Sequence, residues 1–134
     1  MKKETVNIIL TIVALIPMTY FMVLSIYALA NLLSKFDVDD TLILISITFG
    51  ILGYVGLLMN LKQSKNKNVE FINLTFLSIG IIGFVLFNSI QGGTKAWKWV
   101  IMIEEPDEWL MFVGPILITM YLSIIKGKRL ITKN

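Results

Sequence analysis

The chain has 134 residues, the size of one domain, and 56% of them are hydrophobic, with a mean hydropathy of +0.79. Only 16% are charged, against about 25% in soluble domains, which excludes an ordinary water-soluble fold. Twelve basic and nine acidic residues leave a net charge of +3, spread over short segments between apolar runs, which excludes nucleic acid as a partner. The chain has no Cys and no His. Disulfide, thiol and iron–sulfur chemistry are therefore excluded, as are the commonest metal ligand and general base. No cofactor is expected.

Residues 1–4 are polar and carry Lys2 and Lys3. An uncharged run extends from Thr5 to Ser34, and a first membrane span is predicted at about residues 6–33. Pro17 lies inside it and removes one helical hydrogen bond, so a kink is expected. A cleaved signal peptide is the rival reading, with Ala28-Leu29-Ala30 as the cleavage site. The apolar stretch exceeds the usual 7–15 residues of such a peptide, which favours a retained span.

Residues 35–40 form a short acidic loop, and Asp39 and Asp40 suit the start of a second helix. Residues 42–61 contain no charge. At 1.5 Å per residue they span about 30 Å, the thickness of a bilayer's hydrocarbon core. Ser46, Gly50, Gly53, Gly56 and Asn60 recur at three- and four-residue steps along one arc. Small residues on one face let a neighbouring backbone approach, so this arc reads as a docking face.

Residues 62–68 are a basic turn with Lys62, Lys65 and Lys67. Asn68 is the expected cap of a third helix at about residues 69–90, with Glu70 in its first turn. Asn73, Gly80 and Gly83 fall on one side of that helix, and Thr75, Ser78 and Ser89 on another. Neighbours on both sides are expected.

Residues 91–108 make the longest connection. Gly92 and Gly93 end the third helix. Residues 97–103 are apolar and aromatic but too short to span, and Trp97 and Trp99 suit the headgroup level. The acids Glu104, Glu105, Asp107 and Glu108 surround Pro106 and suit a helix start. A fourth span is predicted at residues 109–125, bent at Gly114-Pro115. Lys126, Lys128, Arg129 and Lys133 form a basic tail.

The fold expected is therefore all-α: an antiparallel bundle of four transmembrane helices in a single domain, with an interfacial segment between helices 3 and 4. Orientation follows from the basic residues. With both termini inside, nine are cytoplasmic and only Lys35, Lys95 and Lys98 are outside. Seven of the nine acids then lie outside. A multi-pass protein of the cytoplasmic (inner) membrane is expected, and the Ile-, Lys- and Asn-rich composition suggests a bacterial source.

No Asp, Glu, Lys or Arg is expected at membrane depth in any of the four spans, whereas charges there mark proton relays and substrate sites. Length and span count resemble the small multidrug resistance transporters, which carry an essential glutamate in the first helix. Residues 8–33 contain none, so that resemblance fails at the residue that matters. Span serines without a His or Lys partner at depth exclude intramembrane proteolysis. The acids of residues 104–108 match no calcium loop. No catalytic, cofactor or metal residue is assigned.

Two functional readings follow. In the first, the chain acts without catalysis by contact with another membrane protein. It would use its packing faces (Ser46, Gly50, Gly53, Gly56, Asn60, Asn73, Gly80, Gly83) or its outer loop (Trp97, Trp99, Glu104, Glu105, Asp107, Glu108). Small basic polytopic proteins that protect bacteria from their own pore-forming toxins are similar in length, span count and charge, as a physical type without a shared motif; accessory subunits belong to the same class. In the second, the chain self-associates into a channel or membrane-disrupting effector lined by Ser46–Gly50–Gly53. The bilayer is a partner in both.

Overall fold

The computed structural model describes residues 2–132; Met1, Asn134 and Lys133 of the predicted basic tail lie outside the described residues. Those residues form six α-helices and one 3₁₀ turn, with no strand. The helices are α1 (Lys3–Ser34), α2 (Thr41–Leu61), α3 (Lys67–Gln91), α4 (Gly93–Ile101), α5 (Pro106–Phe112) and α6 (Gly114–Thr132). Three of them, α1 to α3, are long and apolar enough to cross a membrane, and α5 with α6 makes a fourth if the bent pair counts as one.

The long helices follow the uncharged runs, and their ends follow local chemistry. Asp37 accepts a hydrogen bond from Val38 N at 2.7 Å and starts the 3₁₀ turn Val38–Asp40 that leads into α2. The cap of α3 is Asn66, whose side chain accepts from Asn68 N at 2.9 Å. The cap therefore lies two residues before the expected one, Asn68, because Asn66 is the residue with extended backbone able to aim its side-chain carbonyl at the first turn. Gly93 joins α3 to α4 with a φ of +50°, a conformation that favours glycine.

The fourth apolar stretch differs from the single helix expected at residues 109–125. It begins at Pro106, breaks at Val113 and continues to Thr132, with a bend of 47°. Pro115 supplies no N–H to the ladder, and α6 therefore restarts around it.

Helices α1, α2, α3 and α6 pack side by side in a closed ring, α1 on α2, α2 on α3, α3 on α6 and α6 on α1. The closest pair is α2–α3. A Cβ built on Gly53 would lie 2.5 Å from Gly80 Cα, and the reverse holds for Gly80, so the two backbones touch at that level. Gly56 packs against Phe76 and Leu77, and Gly83 against Phe49 and Ser46.

Burial is inverted relative to a water-soluble bundle. The buried apolar residues are few: Ala14, Leu15, Ile47, Leu57, Leu77 and Leu122. The buried polar or charged residues outnumber them: Thr11, Ser46, Asn60, Glu70, Asn73, Thr119 and Lys126. The outward faces carry large apolar side chains instead, with Ile16 70%, Val23 64% and Tyr27 71% exposed. In water those faces would cost free energy in proportion to their apolar area; against hydrocarbon they cost nothing.

Candidate functional site

Two features occupy opposite ends of the ring. At the end where α1 and α3 begin and α2 and α6 finish, polar side chains from all four helices join. Lys126 Nζ (α6) lies 3.1 Å from Glu70 Oε2 (α3), an atom that accepts no other hydrogen bond. Glu70 Oε1 faces Ser64 N at 3.4 Å. With its amide oriented to satisfy both neighbours, Asn73 donates to the Gly56 carbonyl at 2.9 Å and accepts from Lys126 Nζ at 2.7 Å. Asn60 Nδ2 (α2) donates to Thr11 Oγ1 (α1) at 2.8 Å, and Thr11 donates in turn to the Asn7 carbonyl at 2.7 Å. A cavity of about 20 Å³ between Asn7, Asn60, Glu70 and Lys126 has room for one water.

This joint revises the picture of charge-free spans. Glu70 and Lys126 are both inside helices and both buried, with 8% and 7% exposure. Separately each resembles an ordinary terminal charge, Glu70 at a helix start and Lys126 in a basic tail. The signal that locates Lys126 is its register, since Pro115, Thr119, Leu122 and Lys126 make one buried stripe along α6. The pair is a cross-helix tie: each charge neutralises the other, and Asn73 gives the ammonium a second partner.

At the opposite end the ring borders a half-open cavity of about 450 Å³. Phe21 and Ser25 of α1 line it, with Ser46, Gly50 and Gly53 of α2 and Gly80 and Asn88 of α3. Trp99 of α4, Phe112 of α5 and Thr119 of α6 complete it. The walls are almost wholly apolar, and the hydroxyls of Ser46 and Thr119 turn back on their own helices. Ser46 Oγ donates to the Ile43 carbonyl at 2.8 Å, and Thr119 Oγ1 to the Pro115 carbonyl at 2.7 Å.

Most residues of the predicted packing face lie inside the ring. Ser46, Gly53, Gly56 and Asn60 are buried, as are Asn73 and Gly83, and Gly80 is in backbone contact with Gly53. Gly50 behaves differently: a Cβ there would meet nothing within 4 Å, because it faces the cavity. The line Ser46–Gly50–Gly53 is thus used within one copy of the chain.

The residues of the predicted outer loop separate into two groups. Trp97 Nε1 donates to Ser89 Oγ at 3.3 Å, and its ring meets Phe84 edge-on. Trp99 meets Phe112 edge-on, with ring centroids 5.1 Å apart. The tryptophans therefore fasten α4 to α3 and α5. Glu104, Glu105, Asp107 and Glu108 are exposed, and among the described residues none is in an ion pair. No group of three acids there is arranged to hold a metal ion. The sequence matches no protein family, no curated protein and no solved structure.

Proposed function

We propose that this chain is a four-span protein of the cytoplasmic membrane, with both termini inside, that acts without catalysis by contact with another membrane protein. Immunity-type and accessory proteins are of this kind. The inverted burial of the ring supports the bilayer as its solvent. The observation that carries the contact reading is the acidic strip Glu104–Glu108. It stands exposed and free of cations, next to helices that Trp97 and Trp99 lock in place. Four clustered acids on a fixed platform complement a basic partner surface, and such charge steers association in a salt-dependent way. Self-assembly into a channel is the weaker reading, because the small-residue line it would use packs against α3 and the cavity.

Photo-crosslinking in native membranes tests this reading. A photoreactive residue at Asp107 should give one discrete heavier adduct. That adduct should vanish when Glu104, Glu105 and Glu108 are replaced by Gln. No adduct, or one indifferent to the Gln replacements, would defeat the contact reading. Overproduced protein should leave the membrane potential intact; depolarisation would favour the channel.

A further inference from the structure

The 450 Å³ cavity is long, narrow and lined by apolar side chains. Along α2 its wall runs from Ser46 to Leu57, which is about 16 Å at 1.5 Å per residue. One leaflet of a bilayer's hydrocarbon core is about 15 Å deep. A slot of that volume and length is narrower than an α-helix of about 10–12 Å diameter. Four of the wall positions, Gly50, Gly53, Gly80 and Gly83, contribute no side chain, which keeps the slot open beside the α2–α3 contact. Two polar atoms on the lining, Ser25 Oγ and Asn88 Oδ1, have no hydrogen-bond partner among the described residues. Asn88 sits three residues from the end of α3, at the mouth nearest α4.

We infer that the cavity is a binding site for one acyl chain of a bilayer phospholipid, in the leaflet nearest α4 and α5. The inference rests on the membrane-spanning reading above and is independent of any protein partner. The chain lies along Gly50 and Gly53 with its methyl end toward Leu57. Hydrocarbon gives the apolar walls the dispersion contacts that water cannot give. Asn88 and Ser25 are placed to bond the polar ester region, and Trp99 with Phe112 covers the slot from the side of the connecting helices. One long apolar wall with a few polar groups at one end is the usual layout of such a site.

The test uses the full chain carrying Trp97→Phe and Trp109→Phe, so that Trp99 alone fluoresces. The protein is reconstituted in phosphatidylcholine vesicles with brominated acyl chains, checked for co-flotation, then exchanged into lipid-free detergent. Retained phospholipid is counted by native mass spectrometry. One phospholipid per protomer should remain, and Trp99 emission should fall by half or more relative to unbrominated lipid. Gly50→Phe, which fills the slot from a position with no neighbouring atom, should lose both the lipid and the quenching. Ile116→Phe on the α6 wall serves as a second block. Absence of retained lipid in the parent overturns the inference, whatever the variants do. So does retention that neither folded variant reduces. Protein that fails to float with vesicles defeats the membrane reading instead, so the two failures are distinguishable.

Discussion

Lys126 Nζ of α6 and Glu70 Oε2 of α3 lie 3.1 Å apart in the ring's interior, with Asn73 as the ammonium's second partner at 2.7 Å. Removing one member of a buried pair strands the other charge, at a cost on the order of 3–5 kcal/mol, whereas replacing both with apolar residues is often close to neutral. Lys126→Met alone should therefore lower the melting temperature in detergent markedly, and Glu70→Met with Lys126→Met should recover most of the loss. A Lys126→Met protein that melts like the parent would show that the pair does not tie α3 to α6.

Glycines of one face should differ in their tolerance of a methyl group. Gly53→Ala places a Cβ 2.5 Å from Gly80 Cα, backbone that cannot step aside without parting α2 and α3. Overpacking of this sort costs about 1–3 kcal/mol. Gly50→Ala meets no atom within 4 Å and should be neutral or slightly stabilising, as Ala is the better helix former. Equal melting temperatures for the two variants would contradict the backbone contact.

The aromatic and acidic parts of the connecting segment should fail in different ways. Trp99→Leu removes the edge-on contact with Phe112, worth about 0.5–1.5 kcal/mol beyond its area. It should speed hydrogen exchange in Gly93–Phe112 without unfolding the ring. Replacing Glu104, Glu105 and Glu108 by Gln should leave the melting temperature of the ring unchanged and speed exchange only in the first turn of α5, where Glu105 holds the cap position and Glu108 meets the helix dipole. Faster exchange in α1, α2, α3 or α6 of the Gln variant would show that the acids support the ring.

Much of this architecture is legible in the sequence, and the rest is hidden for identifiable reasons. Uncharged runs locate α1, α2 and α3, because each run is long enough for a whole apolar helix. Three- and four-residue steps place Gly53, Gly56, Asn60, Gly80 and Gly83 on inward arcs. The Glu70–Lys126 tie joins residues 56 positions apart, each of which has a sufficient local explanation, so nothing local reveals the pair. Gly114-Pro115 announces a bend, but the extension of α6 through Lys126 to Thr132 depends on packing against α3 and α1. The cavity is a property of four helices at once. Gly50 shares its step with Gly53, and only the ring's geometry separates their roles.

The contact reading requires α4, α5 and the acidic strip to face outward, with the polar joint toward the cytoplasm. The chain contains no cysteine, so single cysteines can report this without background. Thr94→Cys and Glu105→Cys should react with a membrane-impermeant maleimide in intact cells. Lys65→Cys and Lys128→Cys should react only after lysis. Protection of Thr94→Cys in intact cells, or labelling of Lys65→Cys from outside, would contradict the four-span arrangement and the functional account built on it.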